Sequence, residues 1–176
     1  MAWDIRRLVF IDESGLNTKM TRLYGRAALG TRCWCALPHG HWSTSTFIAA
    51  LRYDRLTAPL LVDGPMDGAV FLAYIKQILC PELQRGDLVI CDNLSSHKVQ
   101  GVRQAIENCA AQLLYLPAYS PDLNPIELAF AKLKASLRQA AKRTYKGLQH
   151  ATASALDSFT PSHCLNFFKH AHYATY

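Results

Sequence analysis

The sequence predicts an α/β domain built on a mixed five-stranded sheet with helices on both faces. Three observations lead there. The pentapeptides Leu8-Val9-Phe10-Ile11-Asp12 and Leu88-Val89-Ile90-Cys91-Asp92 are apolar on both faces, as strands covered from two sides are, and each ends in an aspartate. Segments of β type follow the first of them with no helix between, which implies antiparallel neighbours. After a helix, the second pentapeptide opens an alternation of strand, helix, strand and helix, and that order belongs to a mixed sheet with helices above and below.

In chain order, 8–12 is the first strand, and Leu8, Phe10 and Asp12 share one of its faces. Glu13, Ser14 and Gly15 read as a turn. The polar, glycine-punctuated stretch from there to Gly30, with Lys19, Arg22 and Arg26, reads as an exposed loop able to touch DNA. Residues 32–37 and 45–53 look like strands, and Asp54-Arg55 is a hairpin turn into a further strand at 56–62. Asp63, Gly64, Pro65 and Asp67 break the pattern. Val70, Phe71, Tyr74, Ile75, Ile78 and Leu79 then mark an amphipathic helix that stops near Pro81. The second buried strand, 88–92, places Leu88, Ile90 and Asp92 on one face. Asn93, Ser95, Ser96 and His97 form the loop after it, 99–108 a helix of mixed polarity and 111–116 a fifth strand. Two helices, about 145–159 and 161–170, close the chain.

With 176 residues, half of them hydrophobic and 18% charged, the chain suits one well-buried domain, 1–176, with its C-terminal helices from about residue 145. No run of about 18 apolar residues is present, and Asp4, Arg6 and Arg7 stand where a signal peptide would have its apolar core, so a soluble intracellular protein is expected. Six cysteines without CxxC spacing point to reduced core thiols; Cys33-Trp-Cys35 lacks the second pair that a zinc site needs. The net charge of +6 hints at a polyanionic partner. Between Glu127 and Asp157 there is no acid, while Lys132, Lys134, Arg138, Lys142, Arg143 and Lys146 accumulate. At helical spacing Glu127, Ala131, Lys134, Arg138 and Lys142 form one stripe, either a solvated face or a basic track for DNA.

The most informative stretch is 115–134. Pro117 and Pro121 remove backbone donors and end the strand at 113–116. Asn124 suits an N-cap and Pro125 the first helical position, with Ile126, Phe130, Leu133 and Leu137 facing a core. Glu127 falls where a capping-box carboxylate would close on Asn124, and equally where a helix could carry a catalytic acid. Two strand-end aspartates joined by a helix-borne glutamate form a carboxylate cluster that needs neutralising in a partly buried site. Hard oxygen ligands suit Mg²⁺ or Mn²⁺, and two such ions about 4 Å apart would serve an in-line phosphoryl displacement.

Asp12-Glu13-Ser14-Gly15, Asp92-Asn93 with His97, and Pro117-x-Tyr119-Ser120-Pro121-x-Leu123-Asn124-Pro125-Ile126-Glu127 together resemble the DDE catalytic domain of IS630-type transposases in the Tc1/mariner group; 34 residues separate Asp92 from Glu127. The resemblance runs from about Leu8 to Lys134. It departs from the family at Phe130, where tryptophan is usual, and in starting almost at the first catalytic strand, without the family's N-terminal helix-turn-helix region. It implies a ribonuclease H-like fold and metal-dependent DNA cleavage and strand transfer, with Asp12, Asp92 and Glu127 as catalytic and metal-binding triad and Mg²⁺ or Mn²⁺, two ions, as cofactor. Glu13, Asn93, His97, Tyr119 and Asn124 would support the triad or touch DNA; for His97 a purely local hydrogen bond is the alternative. Lys132, Lys134, Arg138 and Lys142 would bind DNA. The implied partners are element-end and target DNA, a separate or fused helix-turn-helix region and a second copy in a homodimer, and the implied place is the prokaryotic cytoplasm, at the nucleoid. A hydrolytic nuclease of the same fold and an inactive nucleic-acid-binding remnant are the competing readings.

Overall fold

The structure, a computed structural model, describes residues 4–22, 24–37, 39 and 41–175. Strand β1 (Leu8–Asn17) pairs antiparallel with β2 (Thr44–Leu51), which pairs antiparallel with β3 (Leu56–Asp63). On its other side β1 runs parallel to β4 (Leu88–Cys91), and β4 parallel to β5 (Gln112–Tyr115), so the order across the sheet is β3-β2-β1-β4-β5. The expected mixed five-stranded sheet is therefore present. Pro59 sits in the edge strand β3, where a missing ladder donor is tolerated, next to a register shift opposite Ile48 and Ala50.

Strand periodicity sorts the core into two layers. Leu8, Phe10, Leu88 and Ile90 face the long helix α3 (Ile126–Ala140) and the helices α4 (Tyr145–Leu156) and α5 (Pro161–His170), meeting Phe130, Leu133, Leu137, Leu148 and Phe168. Val9, Ile11, Val89 and Cys91 face α1 (Gly68–Tyr74) and α2 (Val102–Asn108), meeting Phe71, Tyr74, Ile75 and Ile106. Burying two such layers supplies the main drive to fold. Phe130 packs edge-on against Phe47 with ring centres 5.8 Å apart. Among the described residues no helix is long and apolar enough to cross a membrane.

Three local expectations are corrected and a fourth is refined. Glu13, Ser14 and Gly15 do not turn: they stay in β1, opposite Ile48, Phe47 and Thr46, because β2 offers partners all the way to Thr44. Residues 32–37 form no strand; they belong to the exposed connection between β1 and β2 and pair with none of the five strands. The helix expected from residue 99 starts at Val102, since Gly101 at φ 96 lies outside helical space. The helix after Asp67 continues as a π turn at Ile75–Leu79. Of the cysteines, Cys91 and Cys164 are buried thiols as expected, but Cys33 and Cys35 are exposed.

Candidate active site

Asp12 lies in the middle of β1, on the face that meets α3, and only 6% of it is exposed. Asp92 follows β4 directly, one strand away in a parallel pairing, so both aspartates arrive at the same end of the sheet. The chain leaving β5 crosses this end: Pro117, Tyr119, Ser120 and a 3-10 turn at Pro121–Leu123 form a wall, and α3 brings Glu127 in its first turn. Asp12, Glu13, Asp92, Asn93, Asn124 and Glu127 thus line one cavity of 490 Å³, together with that wall. Tyr119 stands fully exposed on its rim with φ 57, a left-handed backbone.

The supporting contacts differ from those a helix cap would make. Asn124 does not cap α3; its amide Nδ2 donates to Asp12 Oδ2 at 2.9 Å, and its buried Oδ1 is without a partner. The capping-box reading of Glu127 is therefore set aside. Glu127 is exposed and makes no return bond to Asn124. The other Asp12 oxygen accepts from the Glu13 backbone N–H at 2.8 Å. Glu13 points to the opposite face of β1 and meets His97, whose Nε2 lies 2.7 Å from Glu13 Oε2. His97 is fully buried, stacked on Phe71 at 4.2 Å between ring centres, with its carbonyl accepting from Tyr115 Oη at 3.0 Å. Its Nδ1 approaches Asp92 Oδ1 to 2.5 Å off the line of a directed hydrogen bond, so the contact is mainly one of charges. A single imidazole thus ties the carboxylates of β1 and β4 together.

The electrostatics follow from this crowding. Burial, joined by the charges of Glu127, Asp92 and Glu13, pushes the Asp12 carboxyl up to about 7, although the Glu13 N–H favours its anion. Burial also raises Asp92, but the His97 contact and the Leu94 N–H outweigh it and hold Asp92 below the usual carboxylate range. For His97 burial disfavours the cation; Asp92 and Glu13 reverse that and raise it to about 9.

Among the described residues no three histidine, cysteine, aspartate or glutamate side chains converge closely enough to enclose an ion, Asp92 being held against His97. The donor set still fits a hard divalent cation: the cavity offers carboxylate oxygens that resist sharing negative charge, and a cation among them would relieve the strain that raises Asp12.

Of the four cations expected to bind DNA, Lys134 and Arg138 line a second cleft beside the first, with Lys19 and Trp42. Lys132 is engaged within the chain: its Nζ donates to the Ser158 carbonyl at 3.1 Å, contacts His163 Nδ1 at 2.7 Å and lies over the Phe159 ring. Lys142 is exposed but lies past the end of α3, where Ala141 turns left-handed at φ 47, so it does not extend the helical stripe. Trp42 carries no motif that singles it out in sequence, and Arg143, one of the accumulating cations, anchors the β1–β2 connection through the Thr18 and Met20 carbonyls.

No curated protein sequence matches the chain. Among solved structures, the Mos1 transposase paired-end complex with left transposon end is similar at TM-score 0.74 and 18% identity, over 94% of this chain and 52% of that one. A pre-cleavage Mos1 transpososome is similar at 0.72 and 17%, over 96% and 54%. The catalytic domain of Mos1 mariner transposase is similar at 0.70 and 16%, over 96% and 79%. The chain thus spans about half the length of the transposase chains in the two complexes, and its fold is the ribonuclease H-like one of that catalytic domain. The profile of the DDE superfamily endonucleases matches residues 7–149, the whole sheet and the whole carboxylate site. By that match the chain belongs to the DDE superfamily endonuclease family.

Proposed function

We propose that the chain is the catalytic domain of a cut-and-paste DNA transposase of Tc1/mariner type, with Asp12, Asp92 and Glu127 as its catalytic triad. The observation that carries the reading is the buried Asp12 carboxyl sharing one cavity with Asp92 and Glu127 at the end of a sheet of this family's fold. In the reaction, water attacks a phosphodiester at the element end, a P–O bond forms as the bond to the 3′ oxygen breaks, and the freed 3′-hydroxyl then attacks a target phosphodiester, its new P–O bond forming as the target's own bond to a 3′ oxygen breaks and that oxygen leaves as a hydroxyl. Asp12, Asp92 and Glu127 would hold Mg²⁺ or Mn²⁺, which supplies activation of the attacking oxygen and charge stabilisation of the leaving one. The similarity in fold to a Mos1 mariner paired-end complex with Mn supports this choice of metal, and a pair of ions is the arrangement that in-line displacement favours.

The chain's own groups fix the geometry. Asn124 and the Glu13 N–H orient the two Asp12 oxygens, and His97 sets the Asp92 carboxylate and the Glu13 side chain against one another. Asn93 and Tyr119 line the cavity from its exposed side, in reach of a nucleic acid lying across it. Recognition of element ends falls to a helix-turn-helix region, and the working unit is a homodimer on DNA. Incubating the chain with labelled element-end DNA and Mg²⁺, with and without a helix-turn-helix partner, tests the reading. Joined strand-transfer DNA is expected; nicked DNA alone would favour the hydrolytic nuclease, and neither product the binding remnant.

A further inference from the structure

We propose that the cleft between the end of β1 and the middle of α3 binds a single unstacked nucleotide of the DNA strand, its base against Trp42 and its phosphate on Lys134 and Arg138. The inference rests on the DNA-processing role proposed above and adds a subsite to it. The cleft is a cavity of 390 Å³, in the range of small-molecule sites, with Lys19, Lys134 and Arg138 around it and Met20, Leu37 and Trp42 as its apolar wall.

Charge separates this cleft from the other basic one. At the opposite pole of the sheet Arg6, Arg52 and Arg55 each pair with a carboxylate, of Asp4, Asp87 and Asp54. Among the described residues no carboxylate stands in an ion pair with Lys19, Lys134 or Arg138. Three uncompensated cations round one cavity repel each other and attract a polyanion.

The wall indicates which part of the polyanion enters. Phosphate alone gains nothing from indole and leucine surfaces, and a duplex keeps its bases stacked inside. Trp42 is half exposed, with Lys19 Nζ 4.3 Å from the centre of its ring, and Leu37 is exposed beside it. An exposed aromatic ring flanked by cations is the arrangement on which free bases stack, at about 1–3 kcal/mol per base.

The position relative to the triad fits one strand passing both sites. Gly15 and Asn17 lie on the cleft three and five residues beyond Asp12 in the same strand, about 10 and 17 Å away. Lys134 and Arg138 lie about 10 and 16 Å along α3 from Glu127. At about 3.4 Å per nucleotide of stacked strand, and fewer steps where the strand is unstacked, the subsite sits at most some three to five steps from the phosphodiester being cleaved.

The test compares, by fluorescence anisotropy on the full chain, a labelled thymidine hexamer with an abasic hexamer carrying the same phosphates. The wild type is expected to bind the thymidine hexamer at least about fivefold tighter. Trp42→Ala should remove that preference and leave abasic binding unchanged, and Trp42→Phe should keep most of it. Lys134→Ala and Arg138→Ala should weaken both hexamers alike and lower the salt slope by about 0.7 each. Equal binding of the two hexamers by the wild type, no binding of either, or an undiminished preference in Trp42→Ala overturns the subsite. Metal-dependent cleavage of end DNA, assayed in parallel, separates the two claims: cleavage without base preference removes the subsite alone, and base preference without cleavage removes the transposase reading alone.

Discussion

Replacing Asp12 with asparagine should make the metal-free protein more stable at alkaline pH while abolishing cleavage. In the unfolded chain this carboxyl titrates near 3.8, and in the fold it is held up to about 7 by burial and by Glu127, Asp92 and Glu13. The folded state therefore binds more protons than the unfolded one between those values, and stability falls as pH rises through that window. The full penalty, about 4 kcal/mol from the size of the displacement, stands above pH 7. Asparagine carries no charge and keeps the volume. Its Oδ1 can still accept from the Glu13 N–H, and a half-turn of the Asn124 amide would bring that residue's unpartnered Oδ1 onto the new Nδ2. Allowing for imperfect repacking, about 2–4 kcal/mol should be gained, or about 5–15 °C in Tm for a chain of this size.

The assay is thermal melting in EDTA from pH 4 to 9. The two proteins should converge near pH 4 and separate up to pH 7. Above that they should decline in parallel, because His97, raised to about 9, favours the fold fully below 6.5 and loses that contribution as pH climbs through 9. Mg²⁺ should raise the Tm of the wild type and leave the variant unmoved. A variant less stable than wild type at pH 8 in EDTA, or a pH-independent difference, would refute the electrostatic account of Asp12.

Other consequences can be measured with simple variants. Glu127→Gln should stay folded within about 0.5 kcal/mol, since the side chain is exposed and makes no cap, yet lose cleavage; retained cleavage would remove it from the triad. Asn124→Ala should cost about 1–3 kcal/mol at pH 8, where Asp12 is charged, and much less at pH 5, as denaturant titrations at the two pH values would read. Arg52→Ala should cost about 3–5 kcal/mol, because Asp87, wholly buried and paired with Arg52 at 2.5 Å, is left with only the more distant and half-exposed Arg7 at 3.8 Å; Arg52→Ala with Asp87→Asn should recover part of the loss in the same melts. In native alkylation followed by mass spectrometry, Cys33 and Cys35 should react and Cys91 and Cys164 should not.

What could be read from the chain alone follows the range of the forces involved. The two apolar strands ending in aspartate, and the helix face of Ile126, Phe130, Leu133 and Leu137, announce themselves through periodicity, which is a local record of which face is buried. The extension of β1 past Asp12 is not local. Glu13-Ser14-Gly15 has the composition of a turn, and only the presence of Phe47 and Thr46 opposite keeps it in the ladder. The reverse error at 32–37 has the same origin: strand-like residues without a partner strand do not make a strand. Lys132 counted as a free cation in sequence because nothing near it was acidic, yet its partners, Ser158, Phe159 and His163, come from segments that fold back on it from beyond α4.

The two readings of Asn124 and Glu127 were undecidable in sequence because cap and ligand use the same residue types at the same spacing. The fold separates them by what each would leave unpaired. Had Asn124 capped α3, Asp12 would keep a single donor, the Glu13 N–H, in a cavity ringed by three other acids. By turning its amide to Asp12, Asn124 gives up a cap worth about 1 kcal/mol and leaves its own Oδ1 unpartnered, a further cost of about 1–3 kcal/mol. A helix that forgoes its cap to orient a buried carboxylate is locally worse than its sequence allows, and departures of that kind gather at sites under functional constraint. The same logic applies across the sheet, where His97 is buried between two acids although a hydrophobic side chain on Phe71 would pack without charge. Both contacts fix one arrangement of Asp12, Glu13 and Asp92; Asn124 does so at the expense of its helix, whereas His97 gains stability for the fold only while it is protonated between its two acids, as a site waiting for a cation and a phosphodiester allows.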